Sequence, residues 1–133
     1  MEKFVFWTGI YDLAVGIGFF IPGMAAALGI KEPESLFFSW SPALLVLYLG
    51  VLLIFCSRNL RARGTLVYWE GILRVVGFFL LAGFGFIGDL GFMLGVMGIV
   101  DLVIGIGYLV GLPRALNTTH ADLLWDRVSA SNT

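Results

Sequence analysis

Asp12, Glu70, Arg74 and Asp101 are ionisable residues set inside stretches that are otherwise apolar. A charge in such surroundings is costly, so these groups must pair with one another, take up a proton, or face a polar cavity. Two of the acids share a sequence context. The segment Gly98-Ile99-Val100-Asp101-Leu102-Val103-Ile104-Gly105-Ile106-Gly107-Tyr108 matches Gly9-Ile10-Tyr11-Asp12-Leu13-Ala14-Val15-Gly16-Ile17-Gly18-Phe19, with Gly, Ile, Asp, Leu, Gly, Ile and Gly in register. In both, the Asp follows one glycine by three residues and precedes another by four, which puts all three on one helix face. Carboxylates and a guanidinium at one depth can hold a proton, a small cation or an amine. They can also do no more than tie helices together.

The elements that position these groups are long and apolar. Of the 133 residues 59% are hydrophobic and 13% charged, and the mean hydropathy is +0.98. A soluble domain carries roughly a quarter of charged residues. The composition therefore predicts an all-α integral membrane four-helix bundle. Spans are expected at about 4–28, 36–57, 65–87 and 91–112, each long enough for a ~30 Å hydrocarbon core. Residues 1–116 form the membrane domain on this reading and 117–133 a tail. Met1-Glu2-Lys3 is too weakly basic, and the following run too long and interrupted by Asp12, for a cleaved signal peptide. Ser41-Pro42 resembles a helix start, but Pro42 to Cys56 is short for a crossing, so the second helix is expected to begin earlier and bend at Pro42. Trp40 falls at headgroup depth.

Arg58, Arg61 and Arg63 form the most basic stretch, read as a cytoplasmic loop over Ser57 to Gly64. Both termini are then cytoplasmic, with Lys3, Arg114 and Arg127 on the same side and Lys31 on the other. Gly88-Asp89-Leu90-Gly91 reads as a tight turn, and Pro113 and Arg114 as the end of the last span. In the tail, Ala121, Leu124, Trp125 and Val128 share a face, as in a short amphipathic helix on the inner membrane surface; a frayed polar tail is the other reading. Ser129 to Thr133 are expected to be disordered.

The repeat allows two geometries. Pairing the first helix with the fourth gives an inverted repeat. Aligning Trp69-Glu70-Gly71-Ile72-Leu73-Arg74 with Trp7-Thr8-Gly9-Ile10-Tyr11-Asp12 gives two parallel hairpins, with Arg74 at the position of Asp12. At about 1.5 Å per residue, Asp12, Arg74 and Asp101 fall roughly 12–15 Å from the membrane surface, in one slab. Arg74 is expected to be shared between Asp12 and Asp101, with Glu70 one turn nearer the inner interface, in the favourable order for an i,i+4 ion pair. One arginine does not neutralise three carboxylates, so a proton or another cation has to make up the balance.

Tyr11, Tyr48 and Tyr108 lie deep enough to supply pocket hydroxyls, whereas Trp7, Tyr68 and Trp69 stand where interfacial anchors belong. Cys56, the one cysteine, excludes an intrachain disulfide and reads as a small buried residue. His120, the one histidine, reads as incidental. No metal-ligand motif, phosphate loop or serine elbow is present, and Gly16-Ile17-Gly18 lacks the third glycine and the strand of a dinucleotide site. The residues name no cofactor and point away from an enzyme and from nucleic acid.

With an acid and glycines in the first span, and Glu70-Gly71, Arg74 and Gly77 in the third, the chain resembles the small four-span bacterial membrane proteins of the DoxX-like type. That resemblance implies the bacterial inner membrane and a role beside quinone-linked or thiol redox complexes; a lone Cys56 argues against the thiol role. Two functions are therefore carried forward. The first is binding or transport of a small cationic or protonatable molecule at Asp12, Arg74, Asp101 and Glu70, with or without proton coupling. The second is an accessory subunit or assembly factor whose polar centre is structural, with a homo-oligomer or partner membrane subunit packed on its glycine faces.

Overall fold

The computed structural model describes residues 1–128, and the disorder expected for Ser129 to Thr133 lies outside them. The described residues form helices α1 (Glu2–Phe20), α2 (Met24–Ala27), α3 (Leu36–Ser57), α4 (Leu60–Ala82), α5 (Phe92–Leu116) and α6 (His120–Leu124), with a π-helical turn Gly83–Ile87 continuing α4. Four of them, with the π turn counted into α4, are long and apolar enough to cross a membrane.

Local chemistry sets their ends, and several differ from the sequence reading. The first span stops at Phe20, not Leu28, because Ile21 precedes Pro22 and so leaves the α region, at φ −77° and ψ 120°. Gly23, at φ 82°, then turns the chain into α2. Ser35 caps α3 by accepting the amide hydrogen of Phe37, so the helix begins at Leu36 and Pro42 lies inside it. Asn59 caps α4 through Ala62 N–H. Arg61 and Arg63 therefore sit on the first turn of a helix and not in a loop. Pro113 does not end α5; Leu112 and Leu116 on either side of it are buried, and the helix runs on to Asn117 in the left-handed region.

α1 packs along α3 and α4 along α5, giving two antiparallel hairpins. Glycine is what lets each pair close up. A Cβ on Gly9 would stand 2.9 Å from the Gly50 carbonyl oxygen, and one on Gly105 2.8 Å from that of Gly71. Small residues at such crossings allow backbone approach in lipid, where close packing rather than water exclusion holds helices together.

One end of the bundle carries the N-terminus, the α3–α4 junction, the end of α5 and α6. Its core is Val5, Leu53, Cys56, Leu60, Val67, Tyr108, Leu112, Leu116 and Leu123. Leu123 is fully buried and Leu124 and Val128 pack partly against the core, whereas Trp125 is exposed, so the docking face is rotated from the one the spacing suggested and keeps only part of it. Its anchors are Tyr68 to His120 Nδ1 (2.9 Å) and Trp69 Nε1–H to the Leu124 carbonyl (3.1 Å). His120 is thus part of this joint and not incidental. At the opposite end, residues 21–35 cross to the α4–α5 turn, where Lys31 N–H bonds the Leu90 carbonyl at 2.7 Å and Lys31 Nζ pairs with Asp89.

Candidate functional site: a carboxylate and guanidinium centre beneath a cavity

Arg74 projects from the middle of α4 into the space between the hairpins, and all three of its nitrogens meet carboxylates. Nη2 donates to Asp12 Oδ2 on α1 and Nη1 to Asp101 Oδ1 on α5, each at 2.5 Å. Nε lies 2.5 Å from Glu70 Oε1, one turn away on the same helix, as a charge contact off the N–H axis. The expected sharing of Arg74 between the two aspartates is therefore what the fold assembles. Asp12 and Arg74 belong to different hairpins, so their bond ties the halves together. A second tie lies one turn toward the termini, where the Thr8 hydroxyl bonds the Tyr108 hydroxyl and Phe4 packs edge-on to the same ring.

The four charged groups are not equally enclosed. Side-chain exposure is 5% for Asp12, 8% for Glu70 and Arg74, and 24% for Asp101. Glu70 Oε2 is buried with no hydrogen-bond partner among the described residues. Leaving a carboxylate oxygen bare in low dielectric is unfavourable by several kcal/mol, roughly, unless a proton or cation compensates it.

Above the centre, toward the loop end, the hairpins part around a cavity of about 420 Å³. Asp12, Glu70, Arg74 and Asp101 line its floor. The walls are mainly apolar, with Val15, Phe19, Val46, Leu49, Leu73, Leu81 and Met97, and Lys31 stands at the loop end. Among the described residues no group of three or more His, Cys, Asp or Glu is arranged to hold a metal ion.

The tyrosines separate. Tyr11 lines the cavity beside Asp12. Tyr108 is fully buried beneath the floor and bonded to Thr8, not a cavity hydroxyl. Tyr48 is 64% exposed on the outside of α3 and does not reach the centre; its depth along the helix was right for a pocket, but its direction was not. Thr8 and Val46 were missed. Thr8 had a signal, since it occupies the position of Glu70 in the hairpin alignment; Val46 had none, being one apolar residue among many. No family model, no curated protein and no solved structure matches this chain.

Proposed function

We propose that this protein binds, and moves or senses, a small cationic or protonatable molecule in the cavity above Asp12, Arg74, Asp101 and Glu70. The observation that carries the reading is an excess of acid over base at the floor of an apolar cavity: three carboxylates against one guanidinium, one of them, Asp101, open to the space. Apolar walls suit a ligand with a hydrocarbon body, and Tyr11 adds an aromatic face beside the acids. In this reading the termini and the arginines of the α3–α4 junction face the cytoplasm, in keeping with the positive-inside rule, and the membrane is a bacterial inner membrane. The Gly9–Gly50 and Gly71–Gly105 approaches both lie on the termini side of the centre, which supports relating the halves as two parallel hairpins rather than as an inverted pair.

The test is direct binding of two probes, benzylamine and tetraphenylphosphonium, to the purified chain in detergent. Wild type should bind at least one of them and Asp101→Asn should lose it while keeping its thermal midpoint. A wild-type protein that binds neither sinks the reading.

A second reading has its own support. The Arg74–Asp12 bond joins the two hairpins, as a structural centre would in a non-catalytic accessory subunit or assembly factor of a membrane redox complex, the role that DoxX-like proteins suggest. It predicts that Asp101→Asn lowers stability without altering any binding, and that mild detergent recovers a stoichiometric partner.

A further inference from the structure

We propose that the cavity exchanges one proton on Asp101 for one primary alkylammonium ion, while Glu70 keeps its proton whether the cavity is empty or filled; this rests on the cavity being a cation site. With Asp12, Glu70 and Asp101 all ionised against Arg74, the centre carries two uncompensated negative charges in an apolar surround. Two positive charges must therefore join it in every state.

Room decides which acid receives what. Glu70 contributes to the cavity floor, but its Oε2 has no exposed surface and no partner, so a proton fits there and a ligand atom does not. Asp12 and Asp101 each accept a bond from Arg74 at 2.5 Å, but Asp12 is nearly enclosed. Asp101 is the acid with open space beside it. The other polar or ionisable groups lining this space are Tyr11 from α1, Ser39 from α3 and Lys31 at the loop end, and the rest of the wall is apolar.

The balance follows. In the empty state Glu70 and Asp101 are both carboxylic acids. An incoming R–NH3⁺ meets Asp101–COOH, the O–H bond breaks, the proton leaves to water, and Asp101–COO⁻ pairs with the ammonium. No electrons are transferred, and the charge of the centre is the same before and after. A dication would need a second proton to leave from Glu70, whose enclosed oxygen no ligand nitrogen can reach. The substrate class is thus a monovalent primary amine with a compact apolar body, sized to about 420 Å³.

Benzylamine titrated into the full chain in weakly buffered detergent solution, with a pH indicator and calorimetry in parallel, tests the exchange. One proton released per benzylamine bound is expected. Glu70→Gln, which imitates a permanently neutral Glu70, should retain both the binding and the release. Asp101→Asn should weaken binding by about tenfold or more. Binding without proton release overturns the exchange, and so does release that vanishes in a Glu70→Gln protein that still binds. If Glu70→Gln does not fold, Asp101→Asn decides: proton release that persists with its residual binding overturns Asp101 as the donor. Binding of tetraphenylphosphonium but not benzylamine overturns the amine class alone, whereas binding of neither overturns the cation site itself.

Discussion

The two ends of the bundle are built on opposite principles. At the termini end, side chains from all four long helices and the tail interdigitate, and Val5, Leu53, Val67, Tyr108, Leu112 and Leu123 have essentially no exposed surface. At the loop end the two hairpins part around a cavity and are bridged by an exposed Lys31–Asp89 pair. The charged centre lies on the boundary. A network whose sole task was to hold helices needs no opening onto a cavity. Here one side is sealed and Asp101 opens on the other. The packed end fixes the position of Arg74 and the open end gives Asp101 access.

The largest effect should come from removing the boundary itself. Arg74→Gln leaves three acids around a neutral amide, and the loss of one partner from a buried ion pair costs about 3–5 kcal/mol. The expected outcome is a large fall in the thermal midpoint, partly restored by adding Asp12→Asn. A midpoint unchanged in Arg74→Gln would mean that the centre holds nothing together.

A matched pair of glycine variants asks whether the two ends differ as described. Leucine at Gly50 drives its Cβ to 2.8 Å from the Gly9 carbonyl, in backbone that cannot yield cheaply, so Gly50→Leu should destabilise by about 1–3 kcal/mol. Gly77 lines the cavity and has nothing within 4 Å of a Cβ. Gly77→Leu should keep the fold, aided by about 1 kcal/mol of helix propensity, while filling the cavity and weakening benzylamine binding. Equal destabilisation by both would erase the distinction between a packed end and an open one.

The smallest effect concerns the bridge at the loop end. The Lys31 ammonium holds the Asp89 carboxyl below the usual carboxylate range. A value lowered by folding means that the pair contributes fully above the unfolded value, about pH 4, and is lost as pH falls through the lower folded one. Hydrogen-exchange protection of the Lys31 amide should drop as the pH is lowered into that window, and Lys31→Ala should remove the pH-dependent part of the loss, intrinsic rates being allowed for. Screening by solvent keeps the effect small.

Much of this was open to a reader of the chain. Glu70 and Arg74 are one helical turn apart, so their pairing follows from spacing alone. Asp12 and Asp101 could be matched in depth to Arg74 because every residue of a spanning helix advances it by about 1.5 Å. Direction around the helix was harder to read. Helices in lipid are apolar on all sides, so no polar face marks the outside, and Tyr48 was placed at the right depth on the wrong side. Proline misled in both directions: Pro22 ended α1 early by constraining Ile21, while Pro113 was absorbed in α5 because the burial of Leu112 and Leu116 outweighs one missing hydrogen bond.

By itself the sequence determined what lies within one helix: four apolar lengths, the Glu70–Arg74 step and an acid surplus that needs compensation. Those depend on covalent order and helical periodicity, which are local. Tertiary structure decided which helices touch, that Asp12 crosses to the other hairpin, that Leu123 and not Trp125 enters the core, and that space remains above Asp101 and none beside Glu70 Oε2. These depend on how closely backbones approach at Gly9, Gly50, Gly71 and Gly105, a matter of fractions of an ångström summed over whole helices, which no single stretch of residues records.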